Sequence, residues 1–207
     1  RRHPVDQGGT VSDVAIVDSG GANIASLVYA LRRLDADATL TRDPAVIAGA
    51  SRVLLPGVGA AGAAMRRLRE TGLADLLPRL TQPVLGICLG MQLLFERSEE
   101  GDTECLGILQ GTAAPFAPGP DRPVPHMGWN QARPVADDPL FEGLEDGAWF
   151  YFVHSYALPI GPTTSASTEY GESFTAAARM GNFFGTQFHP ERSSAAGARV
   201  LRNFLAL

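Results

Sequence analysis

Between residues 11 and 95 the chain alternates short, continuous apolar runs with stretches of helical period, and that alternation admits few folds. An apolar run at 11–17 ends in Asp18-Ser19-Gly20-Gly21, and a helix is expected over 23–34, with Ile24, Leu27, Val28, Leu31 and Leu34 on one face. A second strand is expected at 38–41. A short helix follows at 44–50, with Asp43 as its N-cap ahead of Pro44. A third strand at 52–55 stops at Pro56-Gly57-Val58-Gly59, a helix covers 61–70, a strand covers 83–87 and a helix opens over 90–95. Apolar runs without alternation suit strands buried on both faces, so this half reads as a parallel sheet with helices on both sides.

The second half carries short strand-like runs at 107–116, 131–134, 149–157, 165–170, 175–180 and 183–188, broken by Pro and Gly, above all at 117–125. Mixed or antiparallel strands added to a parallel core are expected there, and then a C-terminal helix at 195–204. The whole is an α/β fold, with one domain over 11–207 preceded by a flexible extension at 1–10. With 45% apolar and 19% charged residues, the 207-residue chain can build a sizeable core. A net charge of −5 argues against a generic nucleic-acid binder. All 17 basic residues are arginine, which excludes Schiff-base and P-loop lysine chemistry. Two cysteines, Cys88 and Cys105, form neither a disulfide framework nor a CxxC metal site. No apolar run spans a bilayer, and the start of the chain lacks the pattern of a signal peptide, so a cytoplasmic enzyme is expected.

Cys88 stands where a strand becomes a helix, with Gly86 and Gly90 two residues to either side. This is the spacing of a nucleophile elbow, with cysteine as the nucleophile. The glycines permit a sharp turn and close approach. The turn lifts the sulfur to the carboxyl edge of the sheet, and the N–H of Leu89 is placed to help form an oxyanion hole. A lone strand cysteine is otherwise a packed core residue, and Cys105, beside the acidic run 99–102, is read that way.

Of the four histidines, His189 has the best context. It ends the run Phe183-Phe184-Gly185-Thr186-Gln187-Phe188, and Pro190 favours extended backbone at His189. Glu191, two positions on, falls on the same side of an extended chain and is a candidate orienter of the imidazole. Without further context, a surface His-Pro-Glu turn explains the same residues.

Gly86-Ile87-Cys88-Leu89-Gly90-Met91-Gln92 together with Gly185-Thr186-Gln187-Phe188-His189-Pro190-Glu191 resembles the class I glutamine amidotransferases, in order and in spacing, across nearly the whole chain. Asp18 to Ser26, Pro125 to Asn130 and Tyr151 to Tyr156 narrow the resemblance to the glutaminase subunits of imidazole glycerol phosphate synthases. That resemblance implies a flavodoxin-like sheet and a Cys88–His189–Glu191 triad that cleaves glutamine through a glutamyl thioester. It implies an oxyanion hole from Leu89 and the backbone of Gly57, Val58 and Gly59. Glutamine would meet Gln92, His154, Ser155 and Tyr156. A separate cyclase subunit would meet Asn23, Trp129, Tyr151 and Arg192, the last standing where relatives often have lysine. The expected assembly is a heterodimer with no cofactor and no metal, serving histidine biosynthesis. A glutaminase subunit for another biosynthetic synthase is the alternative. Read without the family, Trp129 and Tyr151 would be core aromatics.

Overall fold

The computed structural model describes residues 13–20 and 24–207, so the expected extension at 1–10 and Asn23 lie outside the described residues. The first half contains β1 (Val14–Val17), α1 (Ile24–Arg32), β2 (Ala38–Thr41), α2 (Pro44–Gly49), β3 (Arg52–Gly57), α3 (Ala61–Glu70), α4 (Leu73–Leu76), β4 (Val84–Cys88) and α5 (Leu89–Leu94). Strands β1 and β4 are buried along their whole length and β3 along all but Arg52. Their unbroken apolar runs have no face left for water. Asp43 caps α2 through Oδ1, which accepts from the Ala45 N–H at 2.8 Å.

The second half contributes β5 (Phe95–Ser98), β6 (Thr103–Glu104), β7 (Leu109–Pro115), β8 (His126–Pro134), β9 (Ala148–His154), β10 (Tyr156–Ala157), β11 (Thr164–Glu169), β12 (Ser173–Met180), β13 (Phe183–Thr186) and α6 (Ser194–Leu205). One nine-stranded sheet has the order β2-β1-β3-β4-β13-β12-β11-β8-β9. Its pairs are parallel from β2 to β13 and antiparallel from there to β9. A second sheet, β10-β7-β5-β6, covers part of one side. One core lies between the large sheet and helices α1 and α6, and it includes Leu31, Phe150, Phe152, Phe188 and Phe204. The other lies under α2, α3 and α5 and includes Ile47, Met65, Leu68 and Leu93.

Several element limits differ from those expected. Strand β3 continues through Pro56 and Gly57, because Gly57 pairs in parallel register with Cys88. Helix α5 starts at Leu89, directly after Cys88, and Phe95 already belongs to β5. The run 149–157 is two strands in different sheets, parted at Ser155. Strand β8 begins at His126 rather than at 131. Strand β13 ends at Thr186, after which the backbone is held singly, Gln187 N–H to Ala176 O at 2.8 Å and His189 N–H to Tyr151 O at 2.9 Å.

Candidate active site

Two neighbouring parallel strands, β4 and β13, deliver Cys88 and His189 to the same carboxyl edge, since Thr186 pairs with Ile87. Cys88 has φ +56° and ψ −113°. A non-glycine residue there is strained, and such strain persists only where the surroundings enforce it. The flanking glycines show what does so: a Cβ on Gly90 would lie 1.7 Å from Leu55 O, and one on Gly86 would lie 2.6 Å from Gly90 O. Strands β3 and β4 and the start of α5 are thus packed backbone against backbone around the elbow.

His189 is buried, with φ −96° and ψ 98°, the extended backbone expected before proline. The chain then turns instead of running on: Pro190–Arg192 is a single 3-10 turn. That turn, not an extended register, carries Glu191 back so that Nδ1 of His189 donates to Glu191 Oε1 at 2.8 Å. Ser193 Oγ ties the turn down by donating to His189 O at 2.6 Å and accepting from the Tyr151 N–H at 2.9 Å. Phe188, stacked on Phe150 with centroids 4.0 Å apart, anchors the preceding residue in the core. Burial by itself would lower the His189 value, but the neighbouring Cys88 sulfur and the Glu191 carboxylate outweigh it and push it up to about 10. Nε2 of His189 and Oε2 of Glu191 are both buried without a partner in hydrogen-bonding geometry. As a thiol, Cys88 Sγ donates to Val153 O at 3.6 Å.

Cys88 opens on a cavity of about 320 Å³, lined also by Val58, Gly59, Leu89, Gln92, Glu100, His154, Ser155 and Tyr156. The expected glutamine contacts and most of the expected oxyanion segment are therefore gathered around the sulfur. Gly57 and His189 are placed differently. They border a smaller cavity of about 80 Å³ with Glu191 and Arg192, and Val58 and Val153 border both spaces. Gly59 has φ +89°, a left-handed conformation that favours glycine.

His154 donates through Nδ1 to Tyr156 O at 2.8 Å, and its Nε2 meets Nδ1 of His126 at 3.0 Å. Burial lowers His154 to about 3 and His126 to about 4, so both rings are neutral at pH 7. Cys105 is half-buried, and burial raises its thiol to about 11.

Trp129 and Tyr151 pair across β8 and β9 on the outer face and meet edge to face at 6.2 Å. The guanidinium of Arg192 lies 4.3 Å from the centre of the Tyr151 ring. Trp129 is 51% exposed, so it is no core aromatic, and Met127 and Trp149, at 63% and 54%, widen the patch. Glu100 and Trp149 escaped the sequence reading. Glu100 sat in an acidic run that looks like a solvated loop, yet its carboxylate accepts from the Ala61 N–H at 2.9 Å and borders the cavity. The signal for Trp149 was its alternation with Tyr151 on one face of β9. Among the described residues no cluster suits a metal ion, and no helix is long and apolar enough to cross a membrane.

Residues 15–207 match the family model described as glutamine amidotransferase class-I. The chain is 54% identical over 197 residues to imidazole glycerol phosphate synthase subunit HisH of Xanthomonas axonopodis pv. citri, covering 95% of this chain and 98% of the relative. It is 49% identical to subunit HisH 1 of Vibrio vulnificus strain YJ016, with 96% and 100% covered, and 53% identical to HisH of Yersinia pestis, with 94% and 100% covered. Among solved structures, a glutamine amidotransferase superposes with TM-score 0.73 at 21% identity over 93% of this chain and 97% of its own. A glutamine amidotransferase of Thermotoga maritima superposes with TM-score 0.66 at 18% identity over 93% and 95%. Both likenesses speak for the fold.

Proposed function

Because the chain belongs to the class I glutamine amidotransferase family, we propose that it is the glutaminase subunit of an imidazole glycerol phosphate synthase, serving histidine biosynthesis. The observation that carries the reading is the strained Cys88 elbow. It exposes one sulfur to a cavity while a buried His189–Glu191 pair stands on its other side.

In this reading glutamine enters the larger cavity with its amide toward Cys88. Among the described residues Glu100 is the one carboxylate there, and it suits the substrate's ammonium group, while Ser155, Tyr156 and the Gln92 carbonyl offer further polar contacts. His189 takes the Cys88 proton as the sulfur attacks, and the Glu191 carboxylate favours the imidazolium so formed. Sulfur attacks the amide carbon, and the oxygen gains charge facing the N–H groups of Leu89 and the Val58–Gly59 segment. His189 gives a proton to the amide nitrogen, the C–N bond breaks and ammonia leaves. Water then attacks the thioester, His189 takes its proton, and collapse returns glutamate and the sulfur. Val58 and Val153 border both the substrate cavity and the space that His189 borders, and a shift of the glycine-bearing segment 56–59 would join the two during the cycle.

Ammonia passes to a cyclase subunit seated on the patch of Trp129, Tyr151 and Arg192, where it is consumed in making imidazole glycerol phosphate and the aminoimidazole carboxamide ribotide by-product. An exposed aromatic patch beside the triad edge supports such a seat. Two free thiols suit a reducing compartment, and the cytoplasm is the proposed location. The test is Cys88→Ala assembled with the cyclase. Glutamine-dependent synthesis is expected to vanish while synthesis from added ammonium continues. Loss of both together contradicts the division of labour.

A further inference from the structure

The geometry points to Gln187 as a further member of the cleavage site: its side-chain N–H holds the Cys88 sulfur, and Gln92 sets which end of the Gln187 amide faces that sulfur. The inference rests on Cys88 being the nucleophile.

Gln187 is wholly buried, one residue past the end of β13. Its Nε2 lies 3.7 Å from Cys88 Sγ, and its Oε1 accepts from Gln92 Nε2 at 2.9 Å. Gln92 Nε2 also donates to Tyr156 O at 2.9 Å. A main-chain carbonyl only accepts, so the end of Gln92 that meets Tyr156 O is the NH2 group. Both of its hydrogens are then committed, one to Tyr156 O and one to Gln187 Oε1. With the Gln187 oxygen engaged, only its NH2 group remains to face the sulfur. The orientation of Gln187 is thus dictated from a fixed point in the backbone.

That fixed point is itself braced. Tyr156 O also accepts from His154 Nδ1, which leaves Nε2 of the neutral ring as an acceptor for Nδ1–H of His126. Nε2 of His126 in turn faces Asn130 Nδ2 at 3.4 Å. Every polar atom from Asn130 to Cys88 therefore has its donor or acceptor role assigned.

The arrangement matters because the sulfur changes charge during the reaction. Val153 O, on the other contact, suits a thiol and repels a thiolate. The Gln187 N–H does the opposite and strengthens as negative charge builds on sulfur. A carbonyl in its place would oppose proton loss. Gln92 has a correspondingly narrow part: its donors are committed inside the protein, and only its carbonyl oxygen can address a substrate in the cavity.

Gln187→Glu, assembled with the cyclase, tests this directly. It keeps an oxygen for Gln92 and sets a second oxygen against Cys88. The expected result is a fall of about 100-fold in kcat for glutamine, with KM changed less than about threefold. Alkylation of Cys88 by iodoacetamide at pH 7 should slow by about tenfold or more, with its pH profile moved upward, while ammonium-dependent synthesis stays intact. Gln187→Met removes the donor without adding charge and should act in the same direction but less, and it decides the matter if the glutamate variant does not fold. Alkylation rates and pH profiles like those of the unaltered protein in the folded variants overturn the proposal, as does a change confined to KM. Cys88→Ala run alongside separates the two readings. If it still cleaves glutamine, the nucleophile is misassigned. If it is inactive and the Gln187 variants are normal, only the present inference fails.

Discussion

His189 and His154 are both buried, both donate from Nδ1, and lie near enough that the charge of one acts on the other, yet they are held in opposite protonation states. The partner of His189 is a carboxylate, with a cysteine sulfur close by; the partner of His154 is a neutral carbonyl. Burial opposes charge on both rings. At His189 the Cys88 sulfur and the Glu191 carboxylate overcome it and the ring rises to about 10, whereas beside the cavity nothing does and the ring falls to about 3. One region is thereby equipped to move protons. The other is equipped to stay fixed, and its neutrality is what lets each ring nitrogen have a single role.

The largest break in this contrast is Glu191→Gln, which keeps the shape and removes the charge. One of the two neighbours that raise His189 is then lost, its value drops, and kcat for glutamine in the assembled enzyme is expected to fall about 100-fold. Activity within about threefold of the unaltered enzyme would show that the carboxylate is not what charges the ring. A smaller effect is expected from His126→Phe. It keeps the ring contacts with Tyr170 and Phe152 and removes the donor to His154. The expected cost is about 1–2 kcal/mol by denaturant unfolding at pH 7, the range for a buried hydrogen bond with one partner lost.

The smallest effect concerns the two pH arms of stability. His126 and His154 titrate below their ordinary 6.5, so the unfolded chain binds more protons as the pH falls from 6.5 toward 4 and 3, and stability declines there. His189 titrates above 6.5, so its contribution is complete below that pH and is lost as the pH rises toward about 10. His126→Phe should flatten the acid arm of a Tm profile by a few degrees, about what one kcal/mol or so shifts in a chain of this size, and leave the alkaline arm in place.

The contrast between the regions also marks what the sequence makes legible. The elbow is a local device: glycine at two residues either side of Cys88, between an apolar run and a helix, is visible in five positions and needs no distant partner. The parallel half was legible for the same reason, since each strand announces itself by an unbroken apolar run. The smaller sheet was not. Strands β6 and β10 are two residues each, and they exist only through pairing with β5 and β7, far away in the chain or across a loop. Glu191 was found through an extended register that the chain does not adopt; the 3-10 turn after Pro190 brings it to His189 by another route. Glu100 and Gln187 carried no local sign, one reading as loop charge and the other as an interior strand residue. Their surroundings are assembled by tertiary contacts alone. Asn23, expected at the partner face, lies outside the described residues.

The most direct measurement of the central claim uses the two thiols as each other's control. An electrophilic glutamine analogue, incubated with the assembled enzyme and mapped by mass spectrometry, should leave one adduct on Cys88 and none on Cys105, whose thiol burial holds near 11. Excess glutamine should prevent it. An adduct on Cys105, or labelling of Cys88 that glutamine does not block, would contradict the assignment of Cys88 and its cavity as the site of glutamine cleavage.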